Sequence, residues 1–233
     1  MRIGRKIWQN ECGGTVAGLT SWNAGENFAS LGIGHFIWYP TWARGPFEES
    51  FPEFVRYVAQ RGAKLPELLL AGRNEVCPWQ SRAEFLNAES DAKMKTLRLF
   101  LADTIDLQAD FLVNRMRAAL PKMLAAASPA ERGKVAQQFN RLVSGAPGCY
   151  ALIDYVNFKG EGVLRSERYQ GRGWGLLQVL EEMSVPGDAR AAVNEFANAA
   201  TRVLRARVEN APHERNEARW LPGWLNRIAS YRH

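Results

Sequence analysis

Two glutamates near the start of the chain, Glu11 and Glu26, bracket a glycine-rich turn, and Ser30-Leu31-Gly32-Ile33-Gly34-His35 follows directly. Paired carboxylates of this kind are what glycoside cleavage uses: one protonates the leaving oxygen, the other activates water or attacks directly. Glu11 has the sequence context of an acid. Ile3, Ile7 and Trp8 share one helical face, Glu11 falls on the same side, and Gly13-Gly14 then ends the segment. A carboxylate at a helix C-terminus on a buried face is disfavoured as an anion by the dipole and by desolvation, and both raise its pKa. On spacing alone the pair reads more readily as a solvated helix end and a loop surface residue.

A second group of candidates lies far downstream. Tyr169-Gln170-Gly171-Arg172-Gly173-Trp174-Gly175 runs into Leu176-Leu177-Gln178, a glycine-rich turn that opens a helix. Such a turn can bind an anion through backbone N–H groups or can simply pack tightly. It is not the dinucleotide fingerprint, and no βαβ pattern surrounds it. Asp154, Asn157, Lys159 and Glu161 precede it, and Asp154 or Glu161 is an alternative second carboxylate. Trp22, Trp38, Trp42, Trp174, Trp220 and Trp224 are flat faces that suit sugar rings or a core equally well. Cys12, Cys77 and Cys149 are too few and too scattered for a disulfide framework or a zinc site, and no metal or organic cofactor is called for. One bridge with a free thiol and three buried thiols both remain open. Cys12 beside His35 lacks the third orienting group that an activated nucleophile needs.

Composition narrows the classes. The 233 residues are 46% hydrophobic and 23% charged, ordinary for a globular protein with a sizeable core. No apolar stretch approaches the roughly 20 residues of a membrane span. The net charge of +6 favours polyanions such as an acidic wall polymer. Basic residues are interleaved with acids along helices rather than run together, which argues against a nucleic-acid partner. No apolar leader follows Met1, so the chain reads as cytoplasmic or as a mature exported protein.

The elements that must position these residues are mostly helical. Residues 30–39 alternate as a short hairpin or twisted strand pair, closed by Pro40 and Gly45-Pro46. Phe51, Phe54, Val55 and Val58 mark a helix that Gly62 ends. Ser81 with Glu84, and Ser128 with Glu131, read as capping boxes. Met94 to Leu120 is one long helix or two joined near Thr104. Val135 to Val143 forms the next stripe, stopped by Gly145. Gly145-Ala146-Pro147-Gly148 reads as a turn, and Cys149 to Gly175 as an irregular region. Helices follow through Leu176–Met183 and from about Asp188 to Val208, with a last short one starting at Pro222.

Glu11, a loop, and Ser30-Leu31-Gly32-Ile33-Gly34-His35 together resemble the phage-type lysozymes over about residues 1–40. Those enzymes place a catalytic Glu at the end of the first helix and follow it with a Thr-Ile-Gly-Ile/Tyr-Gly-His strand. The segment 171–178 more weakly resembles the Gly-Arg-Gly…Gln stretch of plant-type chitinases, in the same superfamily. The resemblance implies an α+β, mainly α, lysozyme-like fold in one domain. A small hairpin lobe at about 13–46 would pack on a helical lobe of about 47–233 plus the first helix. It also implies a muramidase-like hydrolase acting on peptidoglycan, in the periplasm or outside the cell. Glu11 would be the general acid, Ser30 the hydroxyl that helps hold water, and His35 a structural histidine of the strand. Glu26 stands for the second carboxylate, with Asn23 a poorer candidate, because Ala24 occupies the place where the family carries Asp. His35, Trp38, Tyr169, Trp174 and Gln178 would contact substrate. A lytic transglycosylase, a chitinase-like enzyme and a non-catalytic glycan-binding protein are the alternatives.

Overall fold

The computed structural model describes residues 8, 13–45, 48–70, 76–184 and 189–232. Two compact units divide the chain, Met1–Leu112 and Val113–His233, and the boundary falls inside a helix. The chain is mainly helical, with a small antiparallel sheet near the N-terminus, as expected. Among the described residues no helix is long and apolar enough to cross a membrane.

In the first unit, β1 (Thr20–Ser21), β2 (Ala29–Leu31) and β3 (Phe36–Trp38) form a three-stranded antiparallel sheet in that order. Ser30 lies opposite Ser21 on one side and Ile37 on the other, while Leu31 lies opposite Thr20 and Phe36. Alternation therefore puts Ser21, Ser30 and Ile37 on one face and the core residues Leu31, Phe36 and Trp38 on the other. The turn between β2 and β3 explains the Gly-x-Gly-His pattern. Gly32 has φ +71°, and a Cβ there would lie 2.3 Å from Gln108 Oε1; at Gly34 it would lie 2.6 Å from the Phe36 ring. The fully buried Gln108 clamps this turn, accepting from the Ile33 N–H at 2.8 Å and donating to the Leu101 carbonyl at 2.6 Å.

Helix α1 (Phe51–Ala59) buries Phe51, Phe54, Val55 and Val58. Phe36 of β3 stacks on Phe54 with centroids 4.9 Å apart. Helix α2 (Arg82–Asn87) has half of the expected capping box. Ser81 accepts from the Glu84 N–H, but the Glu84 carboxylate takes the N–H of Gln80 rather than that of Ser81. Two helices meet at Thr104, α3 (Ala92–Asp103) and α4 (Ile105–Ala126). The Thr104 hydroxyl donates to the Phe100 carbonyl at 2.7 Å, a back-bond that bends helices.

In the second unit, α5 (Arg132–Val143) begins later than the Ser128–Glu131 pattern suggests. Its N-cap is Glu131, and no side-chain cap bond forms. The larger correction is α6 (Ala146–Lys159), which occupies sequence read as a turn and an irregular region. Pro147 sits in its first turn, where a missing N–H costs nothing. Tyr150 to Val156 are all buried, so the helix has no polar face and no amphipathic period to read. Gly148 permits its approach to α5, since a Cβ there would lie 2.3 Å from the Leu142 carbonyl oxygen. Beyond it come the hairpin β4 (Arg168–Tyr169) and β5 (Arg172–Gly173), then α7 (Leu176–Glu182), α8 (Ala189–Asn210) and α9 (Leu221–Ala229).

Candidate functional site

Glu26 sits in the turn that leads from β1 into β2. The loop is fixed from below: the buried Trp22 donates its indole N–H to the Glu26 carbonyl at 2.8 Å, and the Glu26 N–H reaches the Asn23 carbonyl at 3.2 Å. Asn23 also donates its amide to Glu26 Oε2 at 3.2 Å. Burial pushes the Glu26 carboxyl above its usual range, against the lowering pull of the Asn23 bond and of the charge on His35. Glu26 and His35 therefore sit within electrostatic reach of each other. His35, half-buried with φ +47°, closes the β2–β3 turn with its N–H on the Gly32 carbonyl at 3.2 Å. Ser30 is buried on the Ser21–Ile37 face, and Ser21 donates its hydroxyl to the Ser30 carbonyl at 3.4 Å. Glu11 and Cys12 lie outside the described residues.

The sheet thus gathers Glu26, His35 and Ser30 into one small region of the first unit, but it removes Trp38 from any substrate. Trp38 is fully buried against Phe51, with centroids 4.7 Å apart, so no ring face is open to a sugar. Its indole N–H has no hydrogen-bond partner among the described residues. Trp42 is an open aromatic of this unit, 63% exposed and pinned through its indole N–H to the Gln80 carbonyl at 2.6 Å.

The downstream candidates form a separate assembly in the second unit, and most of them are structural. Trp174 is buried between Tyr169, with centroids 4.5 Å apart, and the Arg207 guanidinium, 4.1 Å from its ring. Tyr169 donates its hydroxyl to Glu217 at 2.8 Å, and Glu217 also takes two bonds from Arg207 at 2.7 and 2.9 Å. Neither ring is a free sugar platform. Gln178 is a strut: it accepts from the Gly175 N–H at 3.1 Å and donates to the Gly162 carbonyl at 3.2 Å. A Cβ on Gly173 would meet Gln178 at 2.6 Å, and one on Gly175 would meet the Gly162 nitrogen at 2.1 Å. The tight-packing reading of this turn accounts for these glycines.

Each alternative carboxylate carries a cationic partner. Asp154 is buried, gripped through both oxygens by Arg227 at 2.6 and 2.9 Å, and accepts from the Tyr231 hydroxyl. Glu161 is ion-paired with Lys122 at 2.8 Å. Lys159 lies with its ammonium 3.4 Å from the Trp224 ring and 3.9 Å from the Phe158 ring. Burial, then the charge on Arg207, holds its pKa well below the usual range.

The chain matches no protein-family model, no curated protein and no solved structure.

The second unit also contains a cleft of about 460 Å³ that sequence reading missed. Its walls are the β4–β5 hairpin (Arg168, Gly171, Arg172), Glu131 at the start of α5, Glu181 on α7, and Arg202 and Val203 on α8. Glu181 has its carboxyl pushed up by burial and then by the charge of Glu131. These segments are far apart in sequence, and the only local signal was the glycine-rich hairpin itself. Among the described residues no group of three or more His, Cys, Asp or Glu is placed to hold a metal ion. Cys77 and Cys149 carry free thiols, and burial pushes the Cys77 thiol up to about 12, which makes it inert.

Proposed function

We propose that this protein is a peptidoglycan-cleaving glycoside hydrolase of muramidase type, with Glu11 as general acid and Glu26 as the second carboxylate. The observation that carries the reading is the state of Glu26. A half-buried carboxyl, desolvated yet held by Asn23 and faced by His35, stands at the edge of a small antiparallel sheet whose turn is the Gly32-x-Gly34-His35 pattern. Perturbed carboxyls held in place by a rigid scaffold are typical of sites that move protons. The resemblance over residues 1–40 supplies the partner, Glu11.

In this reading, protonated Glu11 gives its proton to the bridging oxygen as the glycosidic bond breaks. A water attacks the anomeric carbon from the opposite face and passes a proton to the Glu26 carboxylate, with the Ser30 region helping to hold that water. An inverting reaction of this kind needs the carboxyls about 6.5–9.5 Å apart, wider than the ~5–5.5 Å of a retaining pair. The basic surface suits an anionic wall polymer, and a wall substrate places the working protein in the periplasm or outside the cell.

The test is digestion of purified peptidoglycan, with soluble muropeptides separated and their reducing ends measured. Wild type should release fragments with new reducing ends. Glu11→Gln and Glu26→Gln should each lower the rate by roughly 10²-fold or more. Release by Glu11→Gln at the wild-type rate, or no release by wild type, would overturn the assignment. Loss in Glu11→Gln but not Glu26→Gln, with anhydro ends in place of reducing ends, identifies a one-acid transglycosylase instead.

A further inference from the structure

Apolar side chains that stand singly in water are ordinary on a protein surface. Trp42 differs from these because the protein holds its ring still. It stands in the loop that leaves β3, 63% exposed, and donates its indole N–H to the Gln80 carbonyl at 2.6 Å. Gln80 commits its other polar groups to the same neighbourhood. Its side-chain oxygen accepts the Thr41 N–H at 3.1 Å and the Thr41 hydroxyl at 2.5 Å. Its side-chain amide donates to the Cys77 carbonyl at 2.7 Å, and its backbone N–H to the Glu84 carboxylate at 2.8 Å. Cys77 in turn donates its N–H to the Tyr39 carbonyl at 3.0 Å, and the Ala43 N–H closes the turn onto the Pro40 carbonyl at 3.2 Å.

Stability alone does not call for this bracing, since an exposed indole N–H bonds water nearly as well. Its effect is to fix the ring in advance, so that a ligand need not offset the rotamer entropy of ordering it. The ring also stays uncovered. No ring and no cation of the described residues lies against Trp42. Trp220, 40% exposed, is by contrast covered by the Trp224 ring, centroids 6.2 Å apart, and by the Arg219 guanidinium at 4.4 Å.

One small core carries both Trp42 and Glu26. Phe28, just beyond Glu26 in the chain, meets Tyr39 edge to face at 5.4 Å, and Ala43, next to Trp42, is buried in the same cluster. The loop of the proposed second carboxylate and the loop of the open ring therefore pack on each other within the first unit. The surroundings of the ring select its occupant. Thr41 and Arg44 are exposed and polar, and the intervening Ala43 is buried. A single flat apolar face in a polar rim falls far short of the roughly 1,000 Å² that a specific protein interface needs. It matches a pyranose ring, which has apolar C–H bonds on its face and hydroxyls around its edge.

We propose that Trp42 is a sugar-binding platform, on which one ring of a β-linked amino-sugar glycan stacks through its C–H face. Which glycan it holds rests on the hydrolase reading; that the ring binds a sugar does not. Trp42 is a binding residue and takes no part in proton transfer.

The experiment uses the full chain and tetra-N-acetylchitotetraose, with binding read from indole N–H resonances and by calorimetry. The Trp42 resonance is assigned by its loss in Trp42→Ala. The tetrasaccharide should shift that resonance in wild type, and Trp42→Ala should bind it about tenfold or more weakly. Trp42→Phe keeps a flat ring without the N–H anchor and should fall between the two. Gln80→Ala keeps the indole but frees it, and should weaken binding by about threefold or more. Trp42 is exposed, so Trp42→Ala should melt with wild type, and its loss reports binding rather than folding. In peptidoglycan digestion the same substitution should raise KM by about tenfold and leave kcat within about twofold. Wild-type affinity in Trp42→Ala, or no binding of the tetrasaccharide at millimolar concentration, would overturn the platform. Binding is read without cleavage, so the two readings fail separately. Tetrasaccharide binding that depends on Trp42, in a protein that releases no muropeptides, sinks the hydrolase and supports the platform.

Discussion

Glu217→Gln is the sharpest test of how the second unit is held together. Glu217 has no exposed side-chain surface, and the Arg207 side chain is 7% exposed. The carboxylate accepts Arg207 Nε at 2.7 Å and Nη2 at 2.9 Å, the Tyr169 hydroxyl at 2.8 Å, and Arg215 Nε at 3.2 Å. Glutamine keeps the shape and one acceptor oxygen but replaces the second with an NH₂ that faces the guanidinium. Removing one member of a buried pair typically costs about 3–5 kcal/mol, chiefly because the other charge is left buried and unpaired. The retained acceptor places the expected loss near the lower end, about 3 kcal/mol, and Arg215, being half-exposed, adds little. For a chain of this size that is a fall in Tm of roughly 6–12 °C.

The pH dependence of the same variant carries a sign that can be checked. Burial alone would raise the Glu217 pKa, but Arg207, Tyr169 and Arg215 outweigh it and hold the carboxyl below its ordinary 4.5. A depressed folded-state pKa means that the ionised glutamate stabilises the fold above 4.5, and that this contribution is lost as pH falls through the folded value. Wild type and Glu217→Gln should therefore differ most near neutral pH and converge below 4.5. Thermal melts across that range measure it. The double change Arg207→Met with Glu217→Leu should recover part of the loss, since an apolar pair can replace a buried ion pair. Recovery stays incomplete because Arg207 also lies 4.1 Å from the Trp174 ring and 4.9 Å from the Trp224 ring, contacts worth about 0.5–2 kcal/mol each. A loss below about 1 kcal/mol in Glu217→Gln, or a gap that does not move with pH, would refute the account.

Two further outcomes follow from named contacts. Glu26 has the opposite linkage to Glu217: burial raises its folded pKa above 4.5, so stability is lost as pH rises through the folded value. Glu26→Gln should therefore melt higher than wild type near neutral pH and level with it below 4.5, a gain in stability at the residue proposed for catalysis. Glycine substitutions separate close packing from mere helix propensity. Gly175→Ala forces a Cβ to 2.1 Å from the Gly162 backbone nitrogen and should cost about 2–3 kcal/mol, whereas Gly133→Ala in α5 meets nothing within 4 Å and should gain about 0.5–1 kcal/mol in denaturant melts.

What could be read from sequence depended on whether a residue's partners were near it in the chain. The amphipathic stripe of α1, the break at Thr104 and the β2–β3 turn all carry local signals, and each stands where those signals put it. The hairpin over residues 30–39 is legible in sequence, but the Gln108 that clamps its Gly32-x-Gly34 turn is not, because nothing in residues 30–35 names a glutamine on α4. Helix α6 failed for the converse reason: burial on every side erased the periodicity that identifies a surface helix. The aromatic residues near Gln178 were misread because an exposed Trp and a Trp sealed by a cation look the same in sequence. Only the fold brings Arg207 onto Trp174 and Glu217 onto Tyr169. The same logic ranks the carboxylates. Asp154 and Glu161 are answered by cations from Arg227 and Lys122, each distant in sequence. Glu26 takes a side-chain bond from Asn23, three residues earlier in its own loop. Burial keeps the Glu26 carboxyl above its usual pKa, which in the proposed reading suits it to take the proton of the attacking water.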